Sequence, residues 1–189
     1  MRTLGLRRQY FGLTLIELMI TLTIGAILLA LAVPQMREYI ARKRVSGTAT
    51  ELAADVRLAR SMVQQQNQPI WITFGSTDDF TCYVLYTDAN QVDYCDCATT
   101  PMCSAANADP PIALRSVFIK RNTGITMTAS ALDLRYSRPV GAPTPFRGNT
   151  AEVEVSSSLG GRVKLVLSGL TRATICSLSG HTAEFGACP

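Results

Sequence analysis

A chain of 189 residues has room for one hydrophobic core and an appendage, which argues against two independent domains. Its composition, 47% hydrophobic and 17% charged, is ordinary for a globular protein, and a net charge of +4 singles out no partner. The charge is unevenly placed, however. Residues 1–12 carry a net +3, residues 13–66 +2, residues 67–111 −6 and residues 112–189 +5.

The N-terminal segment comes first. Leu13 to Val33 runs for 21 residues with one charge, Glu17. At 1.5 Å per residue a helix of that length spans roughly 30 Å, the thickness of a bilayer core. The basic residues before it, Arg2, Arg7 and Arg8, are expected to stay cytoplasmic and leave the remainder facing outwards. A secretory signal peptide fits less well, because its apolar centre is about 7–15 residues long and ends in a small-x-small site. Glu17 is the anomaly: a carboxylate among membrane residues costs on the order of 2.5–3.5 kcal/mol on insertion scales. Either it sits close enough to the interface to remain hydrated, or it has a purpose that outweighs that cost.

Pro34 removes a backbone donor and is expected to bend or loosen a helix at that point. Beyond it, Val45, Ala49, Leu52, Val56, Ala59 and Val63 recur at alternating spacings of four and three, while Arg42, Lys43, Glu51, Arg57 and Arg60 take other faces. This spacing predicts an amphipathic helix with one core-facing stripe, ending before Pro69. Residues 13–66 would then form one helix of about 80 Å.

After Pro69 the period changes to two. Residues 70–74, 82–87, 113–119, 125–128, 132–136, 151–156, 163–167 and 173–176 read as short strands separated by Gly, Pro and Asp clusters. The expected fold class is therefore α+β: a long N-terminal helix packed on an antiparallel β-sheet head, in one sheet or two.

Six cysteines, Cys82, Cys95, Cys97, Cys103, Cys176 and Cys188, all lie in that head region. An even number confined to one region indicates disulfides in an oxidising compartment, with fifteen connectivities open. Neighbouring Cys95 and Cys97 do not readily pair with each other, and Cys176 with Cys188 would close a loop of about a dozen residues, stabilising by roughly 2–3 kcal/mol. Zinc is the competing use of Cys95-Asp96-Cys97 and Cys103, but the Cys-x-Cys spacing lacks the second pair that zinc sites prefer. No metal and no cofactor is expected. The only histidine, His181, lies in a Ser-Gly-His-Thr turn, and Ser156 to Ser158 read as a strand end and turn. No nucleophile elbow, phosphate loop or dinucleotide signature is present, so catalysis is not expected.

Gly12-Leu13-Thr14-Leu15-Ile16-Glu17, preceded by a short basic leader, resembles the cleavage motif of type IV prepilins and of the pseudopilins of type II secretion. The long helix followed by many short strands, with Gly-x-x-Arg near the C-terminus, resembles the GspH/FimT type within that family. The resemblance implies a pilin-like fold. It implies cleavage by a prepilin peptidase between Gly12 and Leu13, with methylation of the new amine on Leu13. The usual first mature residue is Phe, and Leu13 departs from that pattern. Glu17 falls at the family's assembly glutamate, which pairs with the terminal amine of a neighbouring subunit, and Pro34 falls at its helix-bending proline. The implied organisation is a cleaved leader (1–12), a transmembrane and assembly half-helix (13–34), an amphipathic half-helix (35–66) and a periplasmic β-rich head (67–189). The implied role is a minor pilin or pseudopilin that initiates or caps a type IV pilus or a type II secretion pseudopilus. Its partners would be other pilins, the peptidase and the bacterial inner membrane, crossed once with the head in the periplasm. Both machines share leader and helix, so the choice between them stays open.

The alternative role is DNA binding in natural transformation, since FimT-type minor pilins carry a C-terminal Gly-Arg-x-Arg motif. Gly169-Leu170-Thr171-Arg172 has Leu170 where the first arginine would stand, and Gly161-Arg162-Val163-Lys164 ends in lysine. Arg162, Lys164 and Arg172, with Arg135, Arg138 and Arg147, would supply the phosphate contacts. The competing reading is that these are ordinary solvent-facing charges on strands.

Overall fold

The computed structural model describes residues 14–66, 68–88, 93–104, 110–131, 133–136, 143–144, 150–168, 173–179 and 184–188. Helix α1 runs over Leu15–Gln66 and continues through Pro34. The chain divides into two compact units, residues 1–37 and 38–189.

In the first unit, every large hydrophobic side chain from Leu15 to Met36 is exposed. These residues, with a mean hydropathy of 2.4 over their most apolar stretch, make α1 long and apolar enough to cross a membrane.

The second unit is built around the amphipathic half of α1. Val45, Ala49, Leu52, Val56, Ala59 and Val63 are all buried, as their spacing predicts. Fully burying side chains of the Val and Leu class stabilises by about 1.5–3 kcal/mol each, which is why this half of the helix holds its face to the strands. The stripe is completed by two antiparallel sheets. One contains β3 (Ile112–Lys120), β2 (Phe80–Thr87), β1 (Ile70–Ser76), β5 (Asp133–Tyr136) and β6 (Pro143–Thr144), in that order. The other contains β4 (Ile125–Ala129), β7 (Thr150–Ser157), β8 (Arg162–Ser168) and β9 (Ala173–Ser179). Ile70, Ile72, Tyr83, Leu85 and Leu134 from the first sheet share one core with Val153, Val155, Val163, Leu165 and Leu167 from the second. Alternation on β7 and β8 decides which residues enter it: Val153 and Val155 point in, while Glu152 and Glu154 between and beside them do not.

The first sheet is covered on its other face too. Cys82, Val84 and Tyr86 of β2 lie in a second cluster with Cys95 and Cys97, flanked by Trp71 and Met102. The cover is the segment 93–104, held by the disulfides Cys82–Cys97 and Cys95–Cys103. Gly75, paired with Cys82 across the strands, makes this approach possible. A Cβ at Gly75 would lie 2.8 Å from Asp96 Oδ1 and 3.0 Å from Cys97 Sγ. A third disulfide, Cys176–Cys188, folds the C-terminal segment back along β9, where Ser177 N donates to Gly186 O and Cys188 N to Ser177 O.

Helix and sheet are also joined by a polar lock. Asp55 is buried within the apolar stripe of α1. The Tyr83 hydroxyl donates to Asp55 Oδ2 at 2.7 Å, and Arg115 Nε lies 2.8 Å from the same oxygen. Arg115 Nη2 also donates to Glu51 at 2.7 Å. Burial, reinforced by the hydrogen bond to Asp55, pushes the Tyr83 phenol well above its ordinary range. The Asp55 carboxylate likewise raises the Arg115 guanidinium.

Candidate functional site

The candidate site is the start of α1, and Gly12 and Leu13 lie outside the described residues. From Thr14 onward the geometry is set locally. Leu18 N donates to Thr14 O at 3.2 Å, and Glu17 N donates to Thr14 Oγ1 at 3.3 Å. Thr14 therefore caps the helix, with Glu17 at the third position of a Thr-x-x-Glu capping pattern. Sequence reasoning assigned Glu17 only an assembly or interfacial role, yet the Thr-x-x-Glu spacing before an apolar run signals this cap. Glu17 is exposed, as are its apolar neighbours Ile16, Leu18 and Ile20. The segment thus offers one carboxylate on a helix surface that is otherwise apolar, apart from the hydroxyls of Thr21 and Thr23, which turn back to the carbonyls of Leu18 and Met19.

On the head, the structure shows how two of the six DNA-contact candidates, Arg162 and Lys164, are engaged. Arg162 Nε donates to Glu154 Oε1 at 2.7 Å, and Lys164 Nζ donates to Glu152 Oε2 at 2.8 Å. Both pairs run diagonally across β7 and β8, because Glu154 faces Lys164 and Ser156 faces Arg162 in the register. Arg162 and Lys164 are thus each paired locally with a carboxylate. The Glu-Val-Glu and Arg-Val-Lys triplets around a Ser-Ser-Leu-Gly-Gly turn carried this signal in the sequence, unread. Arg172, Arg138 and Arg147 lie outside the described residues, as do Gly169, Leu170 and His181.

All six cysteines are in the three disulfides. Among the described residues no group of three or more His, Cys, Asp or Glu side chains forms a metal-binding cluster. Two of the acidic-loop aspartates, Asp88 and Asp93, are buried, and Asp93 N donates to Asp88 Oδ2 at 3.1 Å. Asp96 accepts from Ala98 N at 2.8 Å. Those carboxylates shape the loop instead of massing on its surface.

A long helix, apolar and then amphipathic, packed on an antiparallel head with disulfides defines a pilin-type subunit. Residues 7–33 match the prokaryotic N-terminal methylation motif, and residues 48–171 match the type II transport protein GspH family. The chain belongs to the GspH family. It is also similar to two fimbrial proteins of Pseudomonas aeruginosa, each 35% identical over 83 residues, which is 43% of this chain and 52% of the relative. The chain thus spans about half the length of the curated relatives it matches. No solved structure matches it.

Proposed function

We propose that this chain is made as a precursor, cut by a prepilin peptidase between Gly12 and Leu13, methylated on Leu13, and added as a minor subunit to a type IV pilus or type II secretion pseudopilus. Before assembly the apolar half of α1 anchors it in the inner membrane with the head in the periplasm. Within the fibre the same apolar surface packs against the helices of other subunits, and the head initiates or caps the structure.

The observation that carries this reading is the exposed apolar surface of α1, interrupted by Glu17 within the methylation motif. That surface and charge call for partners that a single copy does not supply. Glu17 pairs with the terminal amine of a neighbouring subunit, since two opposite charges desolvated together cost far less than either alone. Pro34 supplies the point at which the helix adjusts its curvature in the bundle. Contact with DNA through Arg162, Lys164 and Arg172 is the weaker role, because two of these cations already have carboxylate partners.

The test is incorporation. Sheared fibres from cells expressing Glu17→Val should lack the subunit, while the membrane fraction still holds the cleaved form. Fibres that contain the variant at the native level would remove Glu17 from assembly.

A further inference from the structure

Among the described residues the two sheets leave four edge strands, β3 and β6 in the first, β4 and β9 in the second. An edge strand turns a row of unpaired backbone N–H and C=O groups outward, and folded proteins shorten, charge or cover such edges. Three of the four edges in this head are treated that way. β6 has two residues and begins at Pro143. β4 has five, and it contacts β2 and β3. β9 is flanked by the C-terminal segment, where Ala187 bridges Ser177 in parallel and the Cys176–Cys188 bond holds the pair.

β3 is the exception. It runs for nine residues, pairs with β2 on one side, and has no backbone partner on the other among the described residues. Its exposed side chains are largely apolar where an edge is ordinarily charged: Ile112 is 63% and Phe118 47% exposed. The register departs from regular pairing only around Leu114, so residues 115–120 form a regular stretch of about 20 Å. That stretch is held firmly. Arg115 is fixed by Asp55 and Glu51, and Phe118 meets Phe80 edge-on at 5.3 Å. Just past its end, Arg121 Nη2 donates to Ser76 Oγ at 2.8 Å.

We propose that β3 is the docking edge of the head, where an extended segment of a different fibre subunit adds to the first sheet as a further strand. The occupant is a strand because a second backbone satisfies the alternate N–H and C=O groups that β3 turns outward. Its chemistry follows from what flanks the edge. Phe118, opposite Cys82, lies on the outer face of the sheet, while Val117 and Ile119 pack partly against the core on the inner face. The incoming strand is therefore apolar on both faces, as β-branched side chains provide. It is also uncharged. β3 has no acid, and its Arg115 is already satisfied by Glu51 and Asp55. Lys120 stands opposite Phe80, which follows the exposed Asp78 and Asp79. A charge brought against this stretch would be desolvated without a partner. A second copy of the chain does not fit. Paired in parallel and in register, β3 sets Arg115 beside Arg115, and like charges there are destabilising. Antiparallel pairing turns the second head end over end, against the one polarity of subunits that leave the same membrane.

The docking edge rests on the chain being a fibre subunit, as proposed above, and the experiment separates the two. Cells express the full chain as Ser116→Cys or Thr174→Cys; the native cysteines are all in disulfides, so the new thiol is the free one. Modification by maleimide-polyethylene glycol, read as a gel shift, should be several-fold slower at Ser116→Cys in sheared fibres than in the detergent-extracted subunit. At Thr174→Cys, exposed on β9, the two rates should be equal. Two prolines test the backbone itself. Neighbouring residues of a strand send their N–H groups to opposite sides, so of Ser116→Pro and Val117→Pro one breaks the β2 ladder and the other spares it. The variant that keeps the protease resistance of the native head should fall to a small fraction of its native level in fibres. The thiol comparison stands whichever proline variant folds. Fibres that hold the subunit while Ser116→Cys reacts as fast as in the extract overturn the docking edge and leave assembly standing. Native incorporation of the protease-resistant proline variant does the same. Equal slowing at Thr174→Cys refutes a located contact. Disulfide-linked pairs of Ser116→Cys in fibres make a second copy the occupant, against the proposal. Absence of the native chain from fibres removes the assembly reading and the docking edge with it.

Discussion

Replacing Tyr83 with phenylalanine isolates one bond in the lock between α1 and β2. The ring stays, so its packing against Phe74, with centroids 6.2 Å apart, is kept, and no cavity opens. What goes is the 2.7 Å hydrogen bond to Asp55, a carboxylate only 4% exposed. A buried acceptor that loses one donor costs about 1–3 kcal/mol, taken as ~2 here because Arg115 remains as a partner. With a urea dependence of about 2 kcal/mol/M, the unfolding midpoint of a fragment spanning residues 38–189 should fall by ~1 M. The pH response gives a second handle. The phenol is raised in the folded protein, so the unfolded chain loses this proton first as pH climbs past the ordinary value of about 10. Fewer protons on the unfolded state means native stability declines with rising pH, and the decline is absent from the variant at this position. At about pH 11 the native protein should therefore have lost ~1.4 kcal/mol that Tyr83→Phe keeps, narrowing the gap between them. Urea titrations at pH 8 and 11, followed by circular dichroism, read both effects. A midpoint shift under about 0.3 M at pH 8, equivalent to well under 1 kcal/mol, would mean that the Tyr83–Asp55 bond contributes little. A gap that does not narrow at pH 11 would contradict the account of the phenol.

Two further outcomes are expected. Gly75→Val should push the 93–104 segment off β1, since even a Cβ meets Asp96 and Cys97 at or below contact distance; the readout is faster alkylation of Cys82 and Cys97 under mild reduction, and unchanged protection would refute the close approach. The head should bind duplex DNA weakly at most, and Arg162→Gln/Lys164→Gln/Arg172→Gln should alter this little at low salt; tight binding with a log–log salt slope that falls by about one unit per cation removed would instead restore the DNA role.

The amphipathic helix was legible because its stripe obeys one spacing, and each of Val45, Ala49, Leu52, Val56, Ala59 and Val63 is buried. The strands were legible for the same reason at period two. The two-residue β6, Pro143–Thr144, was not, since so short a strand has no period to read. Asp55 and Ser46 sit among the buried positions of the helix, where a hydrophobicity pattern assigns no polar residue. Their burial is decided by Tyr83, Arg115 and Glu184, partners that lie far along the chain. Glu184 accepts from Lys43 and Ser46, and the Lys43 ammonium, aided by the Ser46 hydroxyl, holds that carboxyl below its usual range. The net charge of residues 67–111 does not by itself tell which of its aspartates reach the surface, and Asp78 and Asp79 are exposed. Asp88 and Asp93 are buried within the loop, and Asp96 accepts a backbone N–H there.

The central claim is that this chain is a processed pilin-type subunit, and the mass of its N-terminus tests it most directly. Protein extracted from the membrane of cells with an active prepilin peptidase should begin at Leu13, carry one methyl group on that amine, and lack residues 1–12. Cells without the peptidase should hold the full precursor. An intact Met1 in assembled fibres, or a mature chain beginning elsewhere within the apolar run, would contradict the account.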